Sequence, residues 1–305
     1  MARVAVNGIH LNVEVSPSPT IRERRAGPSA AAGTPRSGEW TVSHEPGGEG
    51  IEGILLLHGF TGDGDAWRAH APALSRHATV VAVDLIGHGR SDAPGDPTRY
   101  GMERCVADLL AALDHLDMSR VAVLGYSMGA RVALHLAAAA PNRVSALILE
   151  SGSPGLATED ERRARRDGDE ALAARIERDG VEAFVDYWEA LPLFGTQRRA
   201  PPAVRFMRRQ QRLRNSAIGL ANSLRGMGTG AQASLWDRLG EIHTPTLLIV
   251  GALDDKFRVI GRAMDAALPH ARLAIVPDAG HAVHLEQPAE FDRLVGDFLK
   301  IMVLR

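Results

Sequence analysis

Residues 121–140, VAVLGYSMGARVALHLAAAA, carry the reading from which the fold follows. The four apolar residues Val121–Leu124 have the length of a buried strand, and the alanine-rich run after Gly129 has helical composition. Between them stands Gly125-Tyr126-Ser127-Met128-Gly129, a GxSxG pattern in the strand-turn-helix setting of a nucleophile elbow. Small residues are needed two before and two after the serine. The turn is tight, the serine backbone is strained, and larger side chains would meet neighbouring strands. Ser127 is therefore the candidate reactive hydroxyl.

Other short apolar runs, at Ile54–Leu57, Val80–Val83, Val144–Leu149, Thr246–Val250 and Leu273–Val276, alternate with helical patterns such as Met102–Leu116 and Met128–Ala140. This alternation predicts an α/β protein, with a mostly parallel sheet and helices on both faces. Val4–Val6 and Ile9–Val15 flank Asn7-Gly8, the preferred two-residue hairpin turn, and predict an antiparallel pair at one edge. Two segments break the rhythm. Residues 16–50, with PSAAAGTPRSG at their centre, lack apolar periodicity and read as a poorly ordered insertion. Residues 154–231 carry only helical patterns, at Glu159–Arg178, Val181–Glu189, Ala203–Leu213 and Ile218–Leu224. They read as a helical cap inserted before the last core strands, leaving 1–153 plus 232–305 as the core. So placed, a cap covers the carboxyl ends of the strands, where open α/β sheets bind ligands.

A serine hydroxyl is barely acidic at neutral pH and needs a base that a carboxylate holds in one tautomer. After an elbow serine the expected order is Asp or Glu, then His. Here LLIVGALDDKF (247–257) follows one strand and LAIVPDAGHAVHLEQP (273–288) covers the next. Asp254 comes first after the GAL turn and is preferred, with Asp255 the competing acid. His281, freed by the preceding glycine, is preferred as the base, with His284 the competitor. An oxyanion hole takes one amide from the residue after the nucleophile and one from the loop after an earlier strand, which designates Met128 and Phe60. His58 in the same HGF run reads as a brace for that loop. The glycines around His88 lack the ending of a phosphate loop, and GDGD (62–65) is too short for a calcium loop.

A net charge of −2 leaves no electrostatic footprint for nucleic acid or an anionic membrane, so an anionic ligand must be met by clustered side chains. No apolar run approaches the roughly 18 residues of a membrane span. The single cysteine, Cys105, fits a reducing compartment, and the amino-terminal stretch alternates like a strand instead of a signal peptide, so a cytoplasmic location is expected. Arg131 lies four residues after Ser127 on one helix face, leaning toward the serine. The 154–231 segment adds ERRARRD (161–167) and RFMRRQQRLRN (205–215), in a chain whose only lysines are Lys256 and Lys300. One or two inward arginines would suffice to bind carboxylates by paired hydrogen bonds.

These residues resemble the 2-succinyl-6-hydroxy-2,4-cyclohexadiene-1-carboxylate synthases of menaquinone biosynthesis, a branch of the α/β-hydrolase family. The likeness runs through HGFTG, GHGRSD, GYSMGARVAL, FVDYWEALPLF, GLANSLRGMGTGAQASLWDRL, GALDDKF and GHAVHLEQP. It departs at Ala130, at Ile86 and in the early insertion. The resemblance implies an α/β-hydrolase fold with Ser127, Asp254 and His281 as the triad. It also implies Arg131, Arg165 and Arg214 as carboxylate binders, with Arg212 two residues from the last, and Tyr126 and Trp188 as pocket walls. The implied substrate is a small polycarboxylate with three carboxylates, from which pyruvate is eliminated without cofactor or metal. A serine hydrolase of a small carboxylated ester, thioester or vinylogous carbon–carbon bond is the competing reading, since chemistry is set by the pocket and not by the scaffold. A ligand sensor on the same fold is a third, opposed by the intact Ser, Asp and His set.

Overall fold

The computed structural model describes residues 1–19 and 51–303. Among the described residues one sheet runs in the order β1-β2-β4-β3-β5-β6-β7-β8. Its strands are β1 (Ala2–Val6), β2 (Ile9–Ser16), β3 (Gly53–Leu57), β4 (Thr79–Val83), β5 (Val121–Tyr126), β6 (Val144–Glu150), β7 (Thr246–Gly251) and β8 (Ala271–Val276). The pairs β1/β2 and β2/β4 are antiparallel and all the others parallel. The chain thus has the α/β-hydrolase fold expected of it, with the hairpin at the edge. Asn7 (φ 44°) and Gly8 (φ 84°) are both left-handed, as a tight hairpin turn requires. Ser16, assigned to the insertion by composition, instead closes β2 opposite Val80. The rest of that assignment, from residue 20 to 50, lies outside the described residues.

The helices are α1 (Ala71–Leu74), α2 (Met102–His115), α3 (Met128–Ala139), α4 (Glu159–Ala190), α5 (Pro202–Leu213), α6 (Ala217–Met227), α7 (Asp255–Ala267), α8 (Val283–Glu286) and α9 (Pro288–Val303). Central strands bury both faces, and their alternate side chains feed two cores. Leu55, Leu57, Val121 and Val123 meet α2 and α3 on one side, through Leu109, Leu113, Val132 and Leu136. Ile54, Leu56, Ala122 and Leu124 meet α9 on the other, through Phe291, Val295 and Leu299 at helical spacing. Full burial of each of the valine, leucine, isoleucine and phenylalanine side chains contributes about 1.5–3 kcal/mol. No helix among the described residues is long and apolar enough to cross a membrane.

Between β6 and β7 run α4, α5 and α6. A capping box starts α4: the Thr158 hydroxyl accepts from the Glu161 N–H at 3.2 Å, and the Glu161 carboxylate accepts from the Thr158 N–H at 2.9 Å. The two helical patterns expected at 159–178 and 181–189 form one run interrupted at Gly180 (φ 83°, ψ 171°). Phe184 and Val185 beyond that break pack on Leu220, Ala221 and Leu224 of α6.

Buried histidines give the fold a pH limit. Burial, the larger cause, and the nearby His58 push His88 down to about 3, and burial with the nearby Arg131 pushes His135 down to about 4. Both stay neutral in the fold, whereas the unfolded chain takes up their protons below about pH 6.5. The unfolded state then holds more protons, so stability present above that pH is lost on acidification, by about 1.4 kcal/mol per pH unit for each group. Thermal denaturation is expected to show a clear fall in Tm between pH 7 and pH 5.

Candidate active site

The end of β5 turns sharply into α3, and Ser127 sits at the turn with φ 52° and ψ −105°. Such a non-glycine conformation costs of order 1–3 kcal/mol. It is held by a hydrogen bond from the Ser127 N–H to the Glu150 carbonyl at 2.8 Å. There is no space for flanking side chains: a Cβ at Gly125 would lie 2.3 Å from the Gly129 carbonyl oxygen, and one at Gly129 would lie 2.1 Å from that of Leu57.

His281 Nε2 is 3.0 Å from Ser127 Oγ, and its Nδ1 is 2.7 Å from Asp254 Oδ2. The imidazole and the carboxylate are both buried. Asp254 also caps α7, its Oδ1 accepting from the Phe257 N–H at 3.2 Å, so the helix start orients the acid. The competing residues lie elsewhere. Asp255 is exposed and pairs with Arg258 at 2.6 Å, while His284 is buried on Glu150 at 2.8 Å. Glu286 brackets the His281 loop, accepting from the N–H groups of Gly280 at 2.8 Å and Ala282 at 3.3 Å. Such a chain can draw the serine proton onto Nε2 while the carboxylate holds the imidazole in the required tautomer.

Met128 is the first residue of α3, so its N–H has no acceptor within the helix and lies at the positive end of the helix dipole. Phe60 follows β3 in a loop that His58 ties down. The His58 Nδ1–H donates to the Gly59 carbonyl at 2.8 Å, and Nε2 accepts from the Leu85 N–H at 3.0 Å. Burial lowers the pKa of His58, which keeps it in the neutral form that this bracing needs. Phe60, Met128, Tyr126 and Trp188 all line the pocket that holds Ser127 and His281. The Trp188 ring stands edge-on to Phe60 at 5.3 Å, and its buried indole N–H has no partner among the described residues.

Arg131 enters this pocket from α3 and is fixed by donating to the Met227 carbonyl at 2.8 Å and to the Gln232 side chain. Burial, followed by the charge of Arg165, lowers its pKa to about 10, so it remains charged at neutral pH. Arg165 on α4 also lines the pocket, held by Asp169 at 2.8 Å. Arg214 does not join them. It follows the end of α5 and pairs with Asp63 at 2.6 Å and Asp65 at 2.7 Å, so GDGD serves as an anchor for the 154–231 segment. The third pocket arginine is Arg212, in the last turn of α5, buried and paired with Glu189 at 2.7 Å.

An alpha/beta hydrolase fold family model matches residues 53–288. A putative 2-succinyl-6-hydroxy-2,4-cyclohexadiene-1-carboxylate synthase of Bacillus subtilis (strain 168) is 48% identical over 84% of this chain and 93% of its own. The 2-succinyl-6-hydroxy-2,4-cyclohexadiene-1-carboxylate synthase of Klebsiella pneumoniae (strain 342) is 33% identical over 80% of this chain and 92% of its own. The solved structure of MenH from S. aureus superposes with a TM-score of 0.82 at 32% identity, covering 95% of this chain and 98% of that one. The chain belongs to the 2-succinyl-6-hydroxy-2,4-cyclohexadiene-1-carboxylate synthase family of α/β hydrolases.

Within this synthase, two features at the pocket have no place in the sequence reading, which named Arg212 only as the neighbour of Arg214. Asp169, four residues after Arg165, fixes that guanidinium; the i, i+4 spacing was the available signal. Ser151 follows β6 with φ 48°, and its buried hydroxyl lines the pocket without a partner among the described residues. Nothing in the local sequence marks it, because its place depends on the register of three parallel strands.

Proposed function

We propose that the chain eliminates pyruvate from 2-succinyl-5-enolpyruvyl-6-hydroxy-3-cyclohexene-1-carboxylate, giving 2-succinyl-6-hydroxy-2,4-cyclohexadiene-1-carboxylate in menaquinone biosynthesis. The observation that carries this reading is the gathering of Arg131, Arg165 and Arg212 around the Ser127–His281 pair in one pocket. Three guanidiniums match three substrate carboxylates, and Arg131, held only by a carbonyl and a side-chain amide, would face a neutral ester without a paired carboxylate. Each charge-assisted hydrogen bond is worth roughly 1.5–3 kcal/mol.

In the mechanism, His281 takes the Ser127 proton, and the resulting oxyanion removes the ring proton beside the succinyl ketone. Negative charge spreads through the ring alkene and onto the ketone oxygen, where the Phe60 and Met128 amides receive it. The charge then returns through the alkene to expel the enolpyruvyl oxygen, leaving a conjugated diene. The departing enolate takes a proton and becomes pyruvate, and the triad returns to its starting state. Asp254 orients the imidazole throughout. These steps call on side chains and backbone amides alone.

The same proposal makes residues 154–231 a cap that carries Arg165, Trp188 and Arg212 over the strand ends, with 1–153 and 232–305 as the core. It places the protein in the cytoplasm, in keeping with one buried cysteine. The test offers the purified protein the enolpyruvyl cyclohexene acid beside a panel of simple aryl esters. Pyruvate release is expected to exceed ester cleavage by orders of magnitude in kcat/KM. The reverse order would make the chain a serine hydrolase.

A further inference from the structure

Four cationic side chains line the pocket, and the arginines account for three. The fourth is Lys256, in the first turn of α7. Its Nζ lies 5.6 Å from the centre of the Phe257 ring, and that ring lies 4.6 Å from the His281 imidazole. One aromatic ring thus links the lysine to the triad histidine, and the lysine lines the same pocket although its residue is exposed.

Two features make this placement unfavourable without a ligand. A cation in the first turn of a helix opposes the helix dipole, which favours acids there. The acids beside it are also committed elsewhere. Asp254 accepts from His281 and from the Phe257 N–H, and Asp255 holds Arg258. Lys256 forms no ion pair among the described residues, whereas the other lysine, Lys300, is paired with Asp297. The pocket arginines differ from it, because Asp169, Glu189, Met227 and Gln232 fix their guanidiniums in advance. A lysine on a flexible stem at the exposed side of the same pocket suits an anion that must enter and leave.

We infer that Lys256 is a fourth anion-binding group of this pocket, contacting a substrate carboxylate on the side of the pocket open to solvent. The inference rests on the polycarboxylate reading above and adds to it a residue that acts on binding and leaves the proton transfers to the triad. Lys256→Gln is expected to raise KM for the enolpyruvyl acid about tenfold with kcat within about twofold of wild type, the pattern of a lost uniform binding contact. Lys256→Arg is expected to restore most of the affinity, and neither change should move Tm, since the side chain is exposed. A KM for Lys256→Gln within about twofold of wild type overturns the assignment. If the wild-type protein releases no pyruvate, calorimetric binding of tricarballylate, a simple tricarboxylate, decides independently. Weaker binding to Lys256→Gln than to wild type then keeps the lysine assignment although the lyase reading has failed. Equal binding, or none to either protein, removes the lysine assignment as well.

Discussion

Ser127→Ala is expected to lower pyruvate release by roughly four to six orders of magnitude while leaving Tm within a few degrees of wild type. The change removes one oxygen, whose partner His281 Nε2 lies 3.0 Å away, and keeps a Cβ in the strained turn. Alanine has the same backbone preferences at φ 52° as serine, so the elbow is retained. The large factor follows from the role assigned to the oxygen: without it no group in the pocket is both activated by His281 and placed to take the ring proton. Groups acting as one unit lose activity together, so Ser127→Ala combined with His281→Ala should be little worse than either alone. Steady-state kinetics and thermal denaturation on the same preparations check both statements. Substantial turnover by Ser127→Ala would move the base to another residue.

Arg131→Ala is expected to reduce kcat/KM by roughly a hundredfold or more. The guanidinium emerges one helical turn after the nucleophile, and its loss removes both a charge and a planar fork of donors from the pocket floor. It also leaves the Met227 carbonyl and the Gln232 side-chain oxygen without their donor, which costs of order 1–3 kcal/mol of stability. Arg131→Lys separates these effects, since an ammonium can still serve Met227 but cannot present the fork. It should recover much of the Tm and remain at least about tenfold impaired in kcat/KM. Normal kinetics for Arg131→Ala would reduce Arg131 to a structural tie between α3 and the end of α6 with the chain that follows it.

The sheet and the elbow were legible because their signals are local. Val121–Leu124, the two glycines around Ser127 and the Asn7-Gly8 turn each state a backbone requirement within a few residues. Asp254 and His281 were reachable because both follow strands of one parallel sheet and therefore emerge at the same edge, beside Ser127. The 154–231 segment was read less well, for a physical reason. Which arginine of RFMRRQQRLRN faces inward depends on where α5 ends. The Ser216 side chain caps α6 by accepting from the Gly219 N–H at 3.0 Å, which leaves Arg214 in the turn between the helices and aims it at Asp63 and Asp65. Arg212 remains inside the helix, on the pocket face. Lys256 was seen only as one of two lysines. Its significance lies in carboxylates that are engaged elsewhere, and only the three-dimensional pairing shows that.

The most direct measurement follows two products at once after the purified protein is mixed with the enolpyruvyl cyclohexene acid: pyruvate, and the absorbance of the conjugated ring diene. The account predicts that the two rise together, one to one, and that no substrate fragment becomes attached to Ser127. Cleavage of the succinyl side chain with the enolpyruvyl ether intact, or a Ser127 adduct that forms and decays at the turnover rate, would contradict it.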